Sequence, residues 1–189
     1  MDHYSIEVAG IKRDLPFVDI SDDLAYASFV VISDTELVSK AAPLLAEKIG
    51  RCDMIVTAEA KGIALAYEVS RQLGLKKFIV ARKSEKSYMK NAVSISVRSI
   101  TTVSVQHLYL DGSDIEAIKG KDVCIIDDVV STGDSLKAME ELVKKAGANV
   151  IRKACILAEG KAAERDDLIY LEKLPLFRKD AEGEYEVVE

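Results

Sequence analysis

The sequence predicts an α/β fold, a doubly wound, mostly parallel sheet flanked by helices, and three observations carry that expectation. Short apolar runs alternate with amphipathic stretches of helical period along the 189 residues. One run, Val123-Cys124-Ile125-Ile126, is apolar throughout, as a strand buried on both faces must be. Helical stretches between such runs imply right-handed strand-helix-strand crossovers, which place ligands at the carboxyl ends of the strands. No internal repeat or low-complexity linker interrupts the pattern, so residues 1–189 read as a single domain.

The first helix opens at Ser33-Asp34-Thr35-Glu36, where the Ser33 hydroxyl and Glu36 carboxylate match a capping box. Leu37, Val38, Ala41, Leu44, Leu45 and Ile49 mark its apolar face, Gly50 stops it, and Pro43 predicts a kink or a break. Met54-Ile55-Val56 reads as a buried strand, followed by a turn at Thr57–Gly62 and a helix through Leu65, Ala66, Val69 and Leu73 that ends at Gly74. Phe78–Ala81 is the next strand. Arg82–Lys90 is polar and basic and reads as a mobile loop, overlapping a flexible region at 84–102. Val93–Val97 and Val103–Leu110 alternate like an antiparallel ribbon with one wet face. After the strand at 123–126, Leu136, Met139, Leu142, Val143 and Ala146 define a helix closed by Gly147, and Val150–Leu157 supplies another strand.

Composition narrows the function classes. Apolar residues make up 49% of the chain, enough for a core, while ten glycines and three prolines are too few for a disordered or fibrous protein. No apolar run approaches the roughly 20 residues that cross a bilayer, so no membrane partner is expected. The 26 basic and 32 acidic residues give −6, which argues against nucleic acid binding through bulk charge. Half of that excess lies in an acidic tail, 178–189, where Asp180, Glu182, Glu184, Glu186 and Glu189 outnumber Arg178 and Lys179. Met1–Ser5 has no basic region followed by an apolar one, so the cytoplasm is the expected compartment. Cys52, Cys124 and Cys155, odd in number and set among apolar residues, read as buried thiols.

The chemistry concentrates in Val123–Ser135, an apolar strand ending in Asp127-Asp128 and followed by a loop, Val129-Val130-Ser131-Thr132-Gly133-Asp134-Ser135, that opens a helix. Adjacent strand residues face opposite sides, so two neighbouring carboxylates can both reach a ligand only at the strand's carboxyl end. Backbone amides and hydroxyls of Thr132, Gly133 and Ser135 at a helix start favour a phosphate. A diol or metal on the acids and a phosphate on the loop describe a phosphorylated sugar. Receiver domains also pair acids at a strand end, but near their start, and only 61 residues follow Asp128.

This run resembles the phosphoribosyl pyrophosphate (PRPP) binding motif of the type I phosphoribosyltransferases. Thr57-Ala58-Glu59-Ala60-Lys61-Gly62-Ile63-Ala64 resembles the pyrophosphate loop of the adenine and xanthine enzymes, and Ala81-Arg82-Lys83 their basic strand end. The likeness spans roughly residues 30 to 175 and implies the fold of that family, with a small hood at 1–33. It implies that Asp127 and Asp128 hold the ribose hydroxyls directly or through Mg²⁺, and are the catalytic and metal-binding acids. Val129, Val130, Ser131, Thr132, Gly133, Asp134 and Ser135 would wrap the 5-phosphate, and Ala58, Lys61, Arg82, Lys83 and Lys86 would face the pyrophosphate. Phe29-Val30-Val31 aligns with the base-contacting segment.

The family likeness further implies Mg²⁺-dependent transfer from PRPP to a purine in purine salvage, with a homodimer that meets around Lys61 to Ser87. Adenine is the first choice of base and a 6-oxopurine the second; a PRPP-sensing regulator is the non-catalytic alternative. Two departures stand out. Asp134 replaces the usual small residue of the phosphate loop, and Ser99-Ile100-Thr101-Thr102-Val103 stands where the adenine enzymes carry a Glu-Tyr pair, so the usual catalytic glutamate is not identifiable.

Overall fold

The structure, a computed structural model, describes residues 3–21, 24–98, 105–180 and 183–188. Its centre is a parallel sheet in which β4 (Met54–Ala58), β5 (Ile79–Ala81), β8 (Asp122–Val130), β9 (Asn149–Glu159) and β10 (Glu172–Leu174) are ordered β10-β9-β8-β4-β5. The chain steps outward in one direction from β4 and in the other from β8. The order of strands therefore reverses between β4 and β8, which is where a sheet of this kind opens a crevice.

Alternating strand residues build two cores. On one face Ile55, Cys124, Ile126 and Ile156 meet α1 (Thr35–Ile49) and α2 (Ile63–Gln72) through Leu37, Leu45, Leu65 and Val69. On the other, Val56, Val123, Ile125 and Cys155 meet α4 (Asp134–Lys145) through Leu136, Met139 and Leu142, together with Ile118 of the short α3 (Gly112–Ile118). The ribbon pairs β6 (Val93–Arg98) with β7 (Val105–Leu110) and joins the sheet by a bridge between Arg82 and Tyr109. Its expected connecting residues, Ser99–Thr102, lie outside the described residues.

The hood is a second, antiparallel sheet: β1 (His3–Val8), β2 (Ile11–Asp19), β3 (Leu24–Ala27), β11 (Leu176–Lys179) and β12 (Tyr185–Val188), in that order. Part of the expected acidic tail is thus a paired edge strand. Phe17 stacks on Tyr185 at 4.0 Å between ring centres, and Phe177 meets both Tyr4 and Phe17, an aromatic cluster that bonds the two ends of the chain.

Helix α1 departs from expectation in three ways. Its cap is Asp34, one residue later than Ser33, because the Asp34 carboxylate accepts from the Leu37 amide at 3.0 Å. It runs unbroken through Pro43, since a proline deletes one hydrogen bond while seven buried side chains hold the helix on the sheet. Leu44 faces solvent, and Ala42 and Ala46 take its place in the core. Asp34 also accepts from Arg13 Nε and Nη2 at 2.7 and 2.9 Å, and Glu36 from Nη2 at 2.8 Å, tying β2 to the helix start. Loss of the cap in Asp34→Ala is expected to cost about 1 kcal/mol, seen as a melting point about 2–4 °C lower; an unchanged melt would mean the cap does not hold this helix.

Candidate active site

Pairing between β4 and β8 stops at Val56 and Ile125, while β8 continues against β9 to Val130. The acids therefore lie inside a longer strand than the sequence implied, and their access comes from the parting of β4 rather than from the strand's end. Asp128 continues the Cys124-Ile126 face and Asp127 the Val123-Ile125 face, yet both line one cleft of about 230 Å³ with Ala58, Lys61, Lys83 and Ser135. Gly62, the residue before α2, makes this approach possible: a Cβ there would collide with Thr57 Oγ1 and sit 3.5 Å from Asp127 Cα and Oδ1. The Glu59–Ala60 peptide in the same loop is cis.

The electrostatics of the pair are those of a site awaiting positive charge. Asp128 is only 5% exposed, and its Oδ2 has no hydrogen-bond donor among the described residues. The Asp128 amide donates to Asp127 Oδ1 at 2.9 Å. Burial raises both carboxyls above the usual carboxylate range, Asp127 further through the negative charge of Asp128, and Lys83 and Lys61 offset part of this. Among the described residues no three His, Cys, Asp or Glu group together as a metal site. Two carboxylates, one with an unsatisfied buried oxygen, nevertheless suit Mg²⁺, which binds few protein ligands and retains its waters.

The basic residues divide. Lys61 and Lys83 line the cleft, whereas Arg82 and Lys86 are not among its lining residues. Arg82 turns to Glu59 at 3.1 Å and donates to the Tyr88 hydroxyl at 3.1 Å, so its charge is already matched. Lys86 donates to Ser84 Oγ at 2.6 Å. Glu59 in turn accepts the Lys83 amide at 3.0 Å, fixing the backbone that carries the cleft lysine.

Loop Ser131–Gly133 leads into α4 with Gly133 at φ +83°, a left-handed turn that glycine adopts without strain. Asp134 does not point away: its carboxylate accepts the Thr132 hydroxyl at 3.0 Å, within the loop. Val130 is buried against Leu136, and Val129 is half-buried, so these two carry the loop rather than line the cleft. Of the aligned hood segment, Phe29 and Val31 turn into the core, leaving Val30 as the one exposed side chain. The three cysteines are buried and free, and burial pushes their thiols up.

A second cavity, about 610 Å³, flanks the loop and holds residues the sequence reading passes over: Glu159, Lys161 and Arg165, beside Ser131 and Thr132. Glu159 ends β9, is 8% exposed and bonds Ser131, with burial raising its carboxyl. These residues follow the last apolar run by up to eight positions and share no spacing that would have marked them. Only the place of Glu159 at a strand's carboxyl end was available as a signal.

A crevice at the point of strand reversal, with acids and lysines facing one another across it, is the architecture of a nucleotide- or sugar-phosphate-binding α/β protein. Residues 33–176 match the phosphoribosyl transferase domain, and the chain belongs to that family. The hypoxanthine/guanine phosphoribosyltransferase of Methanothermococcus okinawensis is 36% identical over 112 residues, 59% of this chain and 57% of that protein. The protein of the same name from Methanocaldococcus infernus is 38% identical over the same length and the same shares. The chain thus aligns with little more than half of these curated relatives. Among solved structures, adenine phosphoribosyltransferase from Thermoanaerobacter pseudethanolicus superposes with a TM-score of 0.65 at 22% identity, covering 91% of this chain and 95% of that one. The yeast adenine enzyme, from Saccharomyces cerevisiae, gives 0.65 at 19%, covering 90% and 92%. The fold is that of the type I phosphoribosyltransferases. No helix among the described residues is long and apolar enough to cross a membrane.

Proposed function

We propose that the protein is a purine phosphoribosyltransferase, transferring the 5-phosphoribosyl group of PRPP to a purine nitrogen with release of pyrophosphate. The observation that carries this is the single cleft in which Asp127 and Asp128 face Lys61 and Lys83, beside the loop Ser131–Ser135. Departure of pyrophosphate from the anomeric carbon leaves positive charge on the sugar and negative charge on the leaving group. Asp127 and Asp128 hold the ribose hydroxyls and the sugar side of that separation; Lys61 and Lys83 receive the pyrophosphate. Amides and hydroxyls of residues 131–135 hold the 5-phosphate at the start of α4. Asp127 and Asp128 would hold Mg²⁺, which would supply neutralising charge for the departing pyrophosphate. The site works by positioning and charge rather than through a covalent intermediate on a side chain.

For the acceptor we place a 6-oxopurine ahead of adenine. Relatives at 36–38% identity bear the hypoxanthine/guanine name, whereas the adenine enzymes resemble this chain at 19–22%, a level that speaks for fold. Pyrophosphate release from PRPP and Mg²⁺ is to be measured with hypoxanthine, guanine, xanthine, adenine and orotate in turn. Release with hypoxanthine or guanine is expected. Release with adenine alone would restore adenine as acceptor, PRPP binding without release for any base would favour the regulator, and no PRPP binding would sink the reading.

A further inference from the structure

Arg165 is held in a way that leaves part of its guanidinium for something else. Nε and Nη2 each donate to one oxygen of Asp167 at 3.0 Å, a bidentate fork that fixes the guanidinium plane. Asp167 is itself held by Lys153 Nζ at 2.6 Å, and Lys153, with its side chain only 13% exposed, by Glu140 of α4 at 2.9 Å. Three charged groups, from α4, β9 and the segment after it, thus brace one side chain. The third nitrogen, Nη1, finds no acceptor among the described residues and lies over Gly133, where a Cβ would come within 2.6 Å of it. Arg165 lines the 610 Å³ cavity together with Lys161, Ser131 and Thr132.

Charge gives this placement a purpose. Asp134 within the loop bonds Thr132, and Glu159 at the end of β9 bonds Ser131, so two acidic side chains contact the residues proposed to hold a phosphate. Amides and hydroxyls alone would set a dianion against those acids. A braced guanidinium with a spare donor offsets them and suits a phosphoryl oxygen better than a mobile lysine would. We infer that Arg165 is an additional binding residue for the 5-phosphate of the sugar substrate, one that answers the carboxylate of Asp134. The inference rests on the reading of residues 131–135 as the phosphate loop.

The test is calorimetric titration of the full chain with ribose 5-phosphate and, separately, with pyrophosphate and Mg²⁺, alongside steady-state kinetics in PRPP. In Arg165→Gln, loss of a charged hydrogen bond is expected to weaken ribose 5-phosphate binding and raise KM for PRPP by about tenfold or more, with kcat within about threefold. Pyrophosphate binding should not change, a selectivity that general loosening of the fold would not produce. Arg165→Lys keeps the charge without the fork and should lose about three- to tenfold; it serves equally if the Gln variant melts below the assay temperature. Wild-type-like ribose 5-phosphate binding in both variants would overturn the inference, as would equal weakening for both ligands. If the wild-type chain binds neither PRPP nor ribose 5-phosphate, the phosphate-loop reading itself fails, an outcome distinct from the first.

Discussion

Replacing both acids, Asp127→Asn with Asp128→Asn, is expected to cut pyrophosphate release at least about 10³-fold while making the ligand-free protein more stable near pH 8. The two effects have one cause. Burial raises the folded-state pKa of both carboxyls above the unfolded value near 3.9, and the charge of Asp128 raises that of Asp127 further. A group shifted in that direction costs nothing while it is protonated in both states, and its cost grows as pH rises through the raised folded-state pKa. Relative to the variant, the wild-type chain in EDTA should therefore lose stability as pH rises from about 4. One pKa unit is worth about 1.4 kcal/mol, so a gain of about 1–3 kcal/mol at pH 8 is expected, shrinking towards nothing at pH 4. Thermal melts at the two pH values with and without Mg²⁺ provide the check, because Mg²⁺ should stabilise the wild type and leave the variant unmoved. Turnover within tenfold of wild type would remove these residues from the site. A variant that melts lower at both pH values would show the pair to be structural.

Such a trade is intelligible from the sheet. A strand that ended at Ile126 would leave its next two residues in water, and their carboxyls would be ordinary. Here β9 keeps β8 paired as far as Val130 while β4 parts from it after Ile125, so the acids stay in the sheet and open to one side only. The charges are held at a cost that a bound cation would relieve, and the lysines that offset part of it, Lys61 and Lys83, come from different connections, the first after β4 and the second after β5.

That also explains which parts of the molecule can be read from sequence. The central strands and α1, α2 and α4 are legible because burial on both faces of a sheet demands continuous apolar runs and a helix packed on it demands a period. The hood is not: β2 reads Ile11-Lys12-Arg13-Asp14-Leu15-Pro16-Phe17, polar through its middle because one face is wet and Arg13 is spent on Asp34 and Glu36. Helix α3, seven residues long, is too short to display a period. At the site, the residues local in sequence, Asp127 to Ser135, are marked by composition, whereas Arg82 and Lys83 look equivalent and are not. Adjacent residues leaving a strand face opposite ways, so Lys83 lines the cleft whereas Arg82 is spent on Glu59 and the Tyr88 hydroxyl. Arg165 is invisible for the converse reason, since its neighbours Lys153, Glu140 and Gly133 are brought to it only by folding.

The smallest change with a large expected effect is Gly62→Ala. A methyl group at this position collides with Thr57 Oγ1, and Thr57 cannot easily yield, being fully buried in β4 and stiff about its first side-chain torsion. Either the strand or the loop that carries Lys61 must move, and overpacking of this kind costs about 1–3 kcal/mol. The loop is the softer of the two, because β4 is bonded to β8 as far as Val56 and to β5 through Thr57 and Ala58. Its displacement would carry Lys61 away from Asp128, and a shift of about 1 Å at a reacting centre can cost roughly 10²-fold in rate. The expected result is therefore a folded protein with a melting point several degrees lower and activity reduced by about two orders of magnitude. Thr57→Ala supplies the control, since it removes the obstructing oxygen. Measured as a cycle, the double variant should regain stability and activity relative to Gly62→Ala alone, with a coupling of about 1–2 kcal/mol. Strict additivity of the two substitutions would show that the contact between Thr57 and residue 62 does not set the position of the loop that carries Lys61.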